Sequence, residues 1–219
     1  MIMIDLHTHS IFSDGELIPS ELARRAIAKG YRVIAITDHA DHSNMDFIIP
    51  RVARVCEKIT DVCPIQAIPG IELTHVHPDH IPSLALEARK LGAKIVVVHG
   101  ETVVEPVMPG TNHAALKASV DILAHPGLLT EEDAELAAAN SVCLEISARR
   151  GHSLTNGHVA GLARRFNTKL VLNTDTHSPQ NLVDRAMATV IARGAGMNEA
   201  EIETMFKNSE SLVEKAVGR

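Results

Sequence analysis

The sequence predicts an α/β fold of seven strand–helix units, either a barrel one strand short of the familiar eight or an open doubly wound sheet. Three observations predict it. Short apolar runs alternate with helix-like segments along the whole 219-residue chain. The runs are rich in Val, Ile and Leu with little polar alternation, as strands buried on both faces should be. Six of the seven end in His, Asp or Glu, and the C-terminal strand ends are where such folds build their sites. Strict alternation of strand and helix implies parallel strands joined by right-handed crossovers. No linker-like stretch or change of composition divides the chain, so residues 1–219 read as a single domain.

Each unit has its own signals. "MIMIDL" (1–6) is the first strand, followed by a helix over 17–29 with Ile18, Leu22 and Ala26 on one face. Pro19 near its start and Gly30 past its end punctuate that helix. "RVIAIT" (32–37) precedes a helix over about 46–62, and "IQAIPGIEL" (65–73) one over 82–91. "AKIVVV" (93–98) leads to a helix at 110–118, and "VDILA" (120–124) to one at 131–140. The sixth strand is "VCLEIS" (142–147) with a helix over 155–166, and the seventh is "KLVLNT" (169–174) with a helix over 180–193. A C-terminal helix opens at Asn198, with no convincing eighth strand.

Composition narrows the function. Twenty-one Lys and Arg against 27 Asp and Glu leave a net charge of −6, the wrong sign for a polynucleotide as main partner. Aromatic residues make up 2%, with no Trp, so platforms for stacking bases are scarce. Cys56, Cys63 and Cys143 form no CxxC pair, which suits reduced thiols in a cytoplasmic protein. "MIMI" is too short for a signal peptide, and no apolar run approaches a membrane span.

The strongest chemical signal is "DLHTHSIFSDG" (5–15). Side chains two apart in an extended chain share a face, so His7 and His9 aim at one point, with Asp14 close behind. Converging imidazoles and a carboxylate bind metal ions. Taken alone, the pair reads equally well as a polar strand end and a turn cap. The other strand ends favour the metal: His39, Glu72, His99, His125, Asp175 and His177 fall on them, whereas His42, His75, His77, His80, His113, His152 and His158 do not. Asp175 and His177 repeat the two-apart device after the last strand, and closure of a barrel would set that pair beside His7 and His9. Glu72 would then project from the third strand as a carboxylate able to bridge two ions.

In their order, "DLHTHSIFSDG", "AITDH", "PGIEL", "VVVHGE", "LAHPG" and "NTDTH" resemble the polymerase and histidinol phosphatase (PHP) domain family over essentially the whole chain. The resemblance implies a distorted seven-stranded barrel with up to three divalent ions, and hydrolysis of phosphate esters. It assigns His7, His9, Glu72 and Asp175 to one ion, and Glu72, His99 and His125 to a second. Asp14, His39 and His177 would hold a third, although some members carry a histidine near the Asp14 position. Donors without Cys suit Zn, Mn or Fe. Three such ions against three carboxylates leave a centre of about +3, a sink for a phosphate dianion. The implied reaction is attack by metal-activated hydroxide on a small phosphomonoester, with Glu72 and Asp175 acting through the ions and histidinol phosphate the first candidate substrate. The alternatives are a proofreading-type 3'–5' exonuclease, disfavoured by charge and composition, and a non-catalytic barrel subunit of a protein or RNA complex.

Other segments carry weaker signals. "SARRGH" (147–152) places Arg149 and Arg150 after the one strand that supplies no ligand, where either can fork onto a phosphate or both can be a surface pair. "HVHPDH" (75–80) resembles a metal motif but, with Pro78 and no strand before it, reads as a solvated loop ahead of the alternative that it touches metal or substrate. Residues 100–112 are long for a strand-to-helix loop and suit a rim or lid. Glu145, inside the sixth strand, reads as structural support behind the ligands.

Overall fold

Seven parallel strands wrap into a nearly closed barrel in the computed structural model, which describes residues 3–218. The strands are β1 (Met3–Asp5), β2 (Tyr31–Ile36), β4 (Gln66–Leu73), β5 (Ile95–His99), β6 (Ile122–Ala124), β7 (Cys143–Ser147) and β8 (Leu170–Asn173). A two-residue extension, β3 (His39–Ala40), pairs with the end of β4 through His39 and Glu72. Around the sheet run α1 (Pro19–Ala28), α2 (Met45–Val62), α3 (Ile81–Leu91), α4 (Thr111–Lys117), α5 (Glu131–Asn140), α6 (Asn156–Phe166), α7 (Arg185–Gly194) and α8 (Glu199–Val217). None of the helices among the described residues is long and apolar enough to cross a membrane.

The sheet follows the order β1-β2-β4-β5-β6-β7-β8 and closes just beyond its outer strands. Thr8 and Thr176 form a parallel bridge, His9 N donates to Thr176 O (2.9 Å), and Asp175 N donates to His7 O (3.0 Å). Closure decides between the two architectures the sequence left open, in favour of the distorted (β/α)7 barrel.

Alternation along each strand then sorts the interior into layers. Ile4, Val33, Ile68, Ile95, Ile122, Cys143 and Val171 form an inner apolar cluster, capped by Leu212 and Val213 of α8. Two or four residues further along the same inward rows stand Glu72 on β4, His99 on β5 and Glu145 on β7. The strands thus change from apolar to ligand-bearing within one interior. Outside the barrel a second, larger core packs the strands against the helices. Truncating a fully buried Ile such as Ile71 there would cost about 2–5 kcal/mol.

Observed and expected boundaries differ by a residue or two, with two exceptions. The first strand is described over Met3–Asp5, and residues 1–2 of the expected strand lie outside the described residues. The helix expected over 180–193 begins only at Arg185. A capping box between Ser178 and Asn181 first turns the chain through a short 3-10 helix, and the Asp184 carboxylate then accepts from Met187 N (2.8 Å). Asn198 opens α8 as expected, with Glu201 completing a capping box.

Candidate metal centre

The seven inward rows deliver their polar residues to one small space. His9 Nε2 lies 3.1 Å from Asp175 Oδ1, and His7 Nε2 lies 3.3 Å from Glu72 Oε1. The His9 and His177 rings stack at 4.1 Å, so the two-apart pairs that follow β1 and β8 do face each other. His39 Nδ1 lies 2.6 Å from Glu72 Oε2, and His125 Nε2 lies 3.8 Å from Glu72 Oε1. His177 Nε2 and His39 Nε2 flank Asp14 Oδ1 at 3.1 and 3.4 Å. All nine expected ligand positions therefore come together.

Their donor atoms fall into overlapping groups that can hold ions. His7, His9 and Asp175 form one; Glu72, His99 and His125 a second; His9, Asp14, His39 and His177 a third. Glu72 is fully buried and within 3.8 Å of four imidazoles on three different chain segments, as a bridging carboxylate should be. Asp14 is the outlier, with its side chain 58% exposed on the loop after β1.

Several of these atoms are buried without a hydrogen bond: His7 Nε2, both nitrogens of His9, Glu72 Oε1, His99 Nδ1 and His125 Nδ1. Each would cost about 1–3 kcal/mol if left so, and together they are the strongest local sign that a cation belongs here. Electrostatics agrees. Burial disfavours the Glu72 and Asp175 carboxylates, but the charge of neighbouring imidazoles outweighs it and holds both far below the usual carboxylate range. Burial pushes His9 down to about 3 and lowers His125 strongly, keeping both neutral. Ionised carboxylates and neutral imidazoles are the metal-binding forms. His7 and His39 differ: burial disfavours their charged forms, but Glu145 and Glu72 beside His7, and Glu72 and Asp14 beside His39, raise both. A cation entering the cluster would take the place of those protons.

Two would-be ligands sit in strained backbone, His125 at φ 28° and Asp175 at φ 51°. Glu145 stands behind the ligands: its Oε2 accepts from His7 Nδ1 (2.8 Å) and from Asn173 Nδ2 (3.0 Å). It orients His7 so that Nε2 faces the other donors.

A cavity of about 240 Å³ opens above the cluster, lined by Asp14, His39, Thr74, His75, His99, Glu105, Arg149, His152 and Asp175. Arg149 reaches it; Arg150 is exposed and is not part of its lining. His75 belongs to the wall, which corrects the reading of 75–80 as a wholly solvated loop; His77 and His80 are exposed. Glu105 and His152 were not singled out from sequence. His152 Nε2 lies 3.4 Å from Glu105 Oε1, and its ring stacks on His125 at 4.1 Å. The only available signals were the length of the 100–112 loop and the position of His152 just past the Arg pair.

That loop is braced at its base. Glu101 Oε1 accepts from Gly110 N (3.0 Å) and Asn112 N (2.9 Å), and Asn112 Oδ1 accepts from Glu101 N (2.9 Å). Gly100 and Gly127 let backbones approach there: a Cβ on Gly127, at φ +65°, would lie 1.9 Å from Glu101 O, and one on Gly100 2.3 Å from Ala124 O.

The PHP domain family model matches residues 5–184. The chain belongs to the PHP family. An uncharacterized protein of Methanocaldococcus jannaschii is 51% identical to this PHP chain over 214 residues, covering 96% of this chain and 98% of the relative. Ribonuclease P protein component 3 of Methanosarcina barkeri is 28% identical over 90% of the chain and 82% of its own length. Among solved structures, histidinol phosphate phosphatase of Lactococcus lactis, complexed with zinc, L-histidinol and phosphate, aligns with a TM-score of 0.60. That alignment covers 89% of this PHP chain and 94% of the other at 18% identity, a likeness of fold.

Proposed function

We propose that this PHP domain hydrolyses a small phosphomonoester, using two or three divalent ions of zinc, manganese or iron held by His7, His9, Asp14, His39, Glu72, His99, His125, Asp175 and His177. The observation that carries the reading is the set of buried, unbonded donor atoms converging from separate strand ends. The donor set fits such ions, since it is made of imidazoles and carboxylates in overlapping groups without thiolate. Bound there, the ions supply Lewis acidity and a water acidic enough to act as nucleophile near neutral pH.

The chain's own contribution is geometric. Glu72 ties the groups together from the barrel interior, and Asp175 does so from the β8 side. Glu145 fixes the direction of His7. Arg149, at the cavity wall, presents N–H donors to the outer oxygens of a phosphate, with Arg150 a weaker candidate from its exposed turn. A cavity of about 240 Å³ suits a phosphate with a short body. Histidinol phosphate is the first substrate to test, and the zinc, L-histidinol and phosphate in the Lactococcus lactis fold neighbour support that choice.

The similarity to a ribonuclease P protein component, over 90% of this chain and 82% of the relative, favours a second reading, a nucleic-acid phosphodiesterase or a subunit of an RNA complex. One experiment separates them: metal-loaded protein is assayed on histidinol phosphate, a panel of small phosphomonoesters, and single-stranded RNA and DNA oligonucleotides. Higher kcat/KM on the monoesters supports the phosphatase; higher values on oligonucleotides replace it. Loss of all turnover after chelation, restored by added metal, is expected in either case.

A further inference from the structure

Outside the nine-residue set, a second kind of donor group sits on the rim of the cavity. Glu105 reaches over from the braced loop after β5, and its carboxylate lies within 3.6 Å of three imidazoles. Glu105 Oε2 lies 3.0 Å from His99 Nε2 and 3.6 Å from His75 Nε2, while Oε1 lies 3.4 Å from His152 Nε2. The His75, His99 and Glu105 donor atoms all lie within 4.8 Å of one another. Tetrahedral ligands at zinc distances of about 2.0–2.1 Å stand about 3.3 Å apart, and the separations to Glu105 straddle that value.

Two further features agree. His75 holds a left-handed backbone, φ 52°, unusual for a bulky residue and in keeping with a fixed side-chain direction. His99 is 3% exposed; its Nε2 faces Glu105, and its Nδ1 is buried with no hydrogen-bond partner.

We propose that His75, His99 and Glu105 hold a divalent cation of the zinc class at the cavity rim, in addition to the ions of the inner cluster. The inference rests on the metal reading of that cluster and shares His99 with it; an ion on each ring nitrogen would make that ring an imidazolate, its N–H proton released to solvent. Two imidazoles and one carboxylate would leave a fourth position for a ligand from the cavity, and the partly exposed Glu105 makes this the most exchangeable ion of the set.

The test is a count. Chelator-stripped protein is titrated with zinc by calorimetry, and bound zinc is measured by elemental analysis after buffer exchange, for wild type, His75→Asn and Glu105→Gln. Asparagine tolerates the left-handed backbone at position 75, so that variant keeps the local fold, checked by its melting curve. Each variant is expected to bind one zinc fewer per chain than wild type, the lost ion being the weakest. His7→Gln should lose inner binding while keeping the rim ion. An unchanged count in His75→Asn and Glu105→Gln overturns the rim site, including the case where all ions bind more weakly, since Glu105 would then only assist the inner cluster. Wild type that binds no zinc overturns the inner reading as well, a result distinct from failure of the rim site alone.

Discussion

Arg149 Nη1 lies 3.0 Å from Asp175 Oδ1 and within 2.9 Å of both ring nitrogens of His177. A fixed positive charge thus stands among donors that the sequence assigns to metal ions. It opposes a cation in the Asp14–His39–His177 group and must turn outward when that group fills, toward the cavity it already lines. Arg149→Ala is expected to tighten binding of the weakest inner ion while lowering kcat/KM on a phosphomonoester about ten- to a hundredfold, equivalent to about 1.5–3 kcal/mol. Lys at 149 should recover part of the loss, since it supplies charge without the fork. Arg150→Ala should cost less. Steady-state kinetics with parallel metal analysis checks all three; equal kinetics for wild type and Arg149→Ala would remove Arg149 from phosphate binding.

Glu72→Gln is expected to deplete metal more than any single histidine substitution. The carboxylate lies 3.3 Å from His7, 3.6 Å from His9, 2.6 Å from His39 and 3.8 Å from His125, so neutralising it weakens more than one group. Elemental analysis of Glu72→Gln beside His7→Gln and His125→Gln gives the comparison. A full complement of ions in Glu72→Gln would show that it does not bridge.

Glu145 tests orientation without ligation. Replacing it with Gln keeps the shape but changes the partner of His7 Nδ1, and should cost about ten- to a hundredfold in affinity for the ion at His7. Affinity equal to wild type in a chelator competition assay would make Glu145 a core residue alone.

Thiol reactivity offers a check on the barrel itself. Burial pushes the Cys56 and Cys143 thiols up to about 12, which leaves a thiolate fraction of about one in ten thousand at pH 8. Cys63 is only partly buried. Native protein should show one thiol that reacts readily with a chromogenic disulfide and two that react only on unfolding. Three fast thiols in native protein would contradict this packing.

Gly127 is expected to be intolerant of a side chain. At φ +65°, with its Cβ position 1.9 Å from Glu101 O, Gly127→Ala must move backbone and should cost about 2–4 kcal/mol. Gly110→Ala is the control, at φ +94° but with open space around it, and should cost only about 1–2 kcal/mol. Denaturant unfolding of both variants measures the difference.

Much of the inner cluster was legible because strand geometry is periodic. His7 and His9 two apart, and Glu72 and His99 on the same rows as Ile68 and Ile95, follow from alternation once the strands are placed. The rim was not legible, because Glu105 and His75 lie on loops and His152 opens a four-residue 3-10 helix, where no period relates position to direction. Their convergence depends on the clamp between Glu101 and Asn112 and on the hydrogen bond between Thr102 Oγ1 and His152 Nδ1 (2.8 Å), contacts between residues up to fifty positions apart. The extension at His39–Ala40 was missed for a related reason: two residues are too few to carry a pattern. The late start of α7 reflects local competition, in which Ser178 and Asn181 satisfy each other before the helix can begin.

The clamp at the base of the loop after β5 has an evolutionary consequence. Its closure uses Gly100, Glu101, Gly110, Asn112 and Gly127, while Val103, Val104 and Met108 between those anchors are about half exposed at the mouth. Residues 103–109 other than Glu105 therefore form an interchangeable cassette, whose chemistry can drift without disturbing the sheet that carries the ligands. Grafting that stretch from one relative into another is a direct way to move substrate preference while the catalytic floor stays constant, and divergence between paralogues should concentrate there.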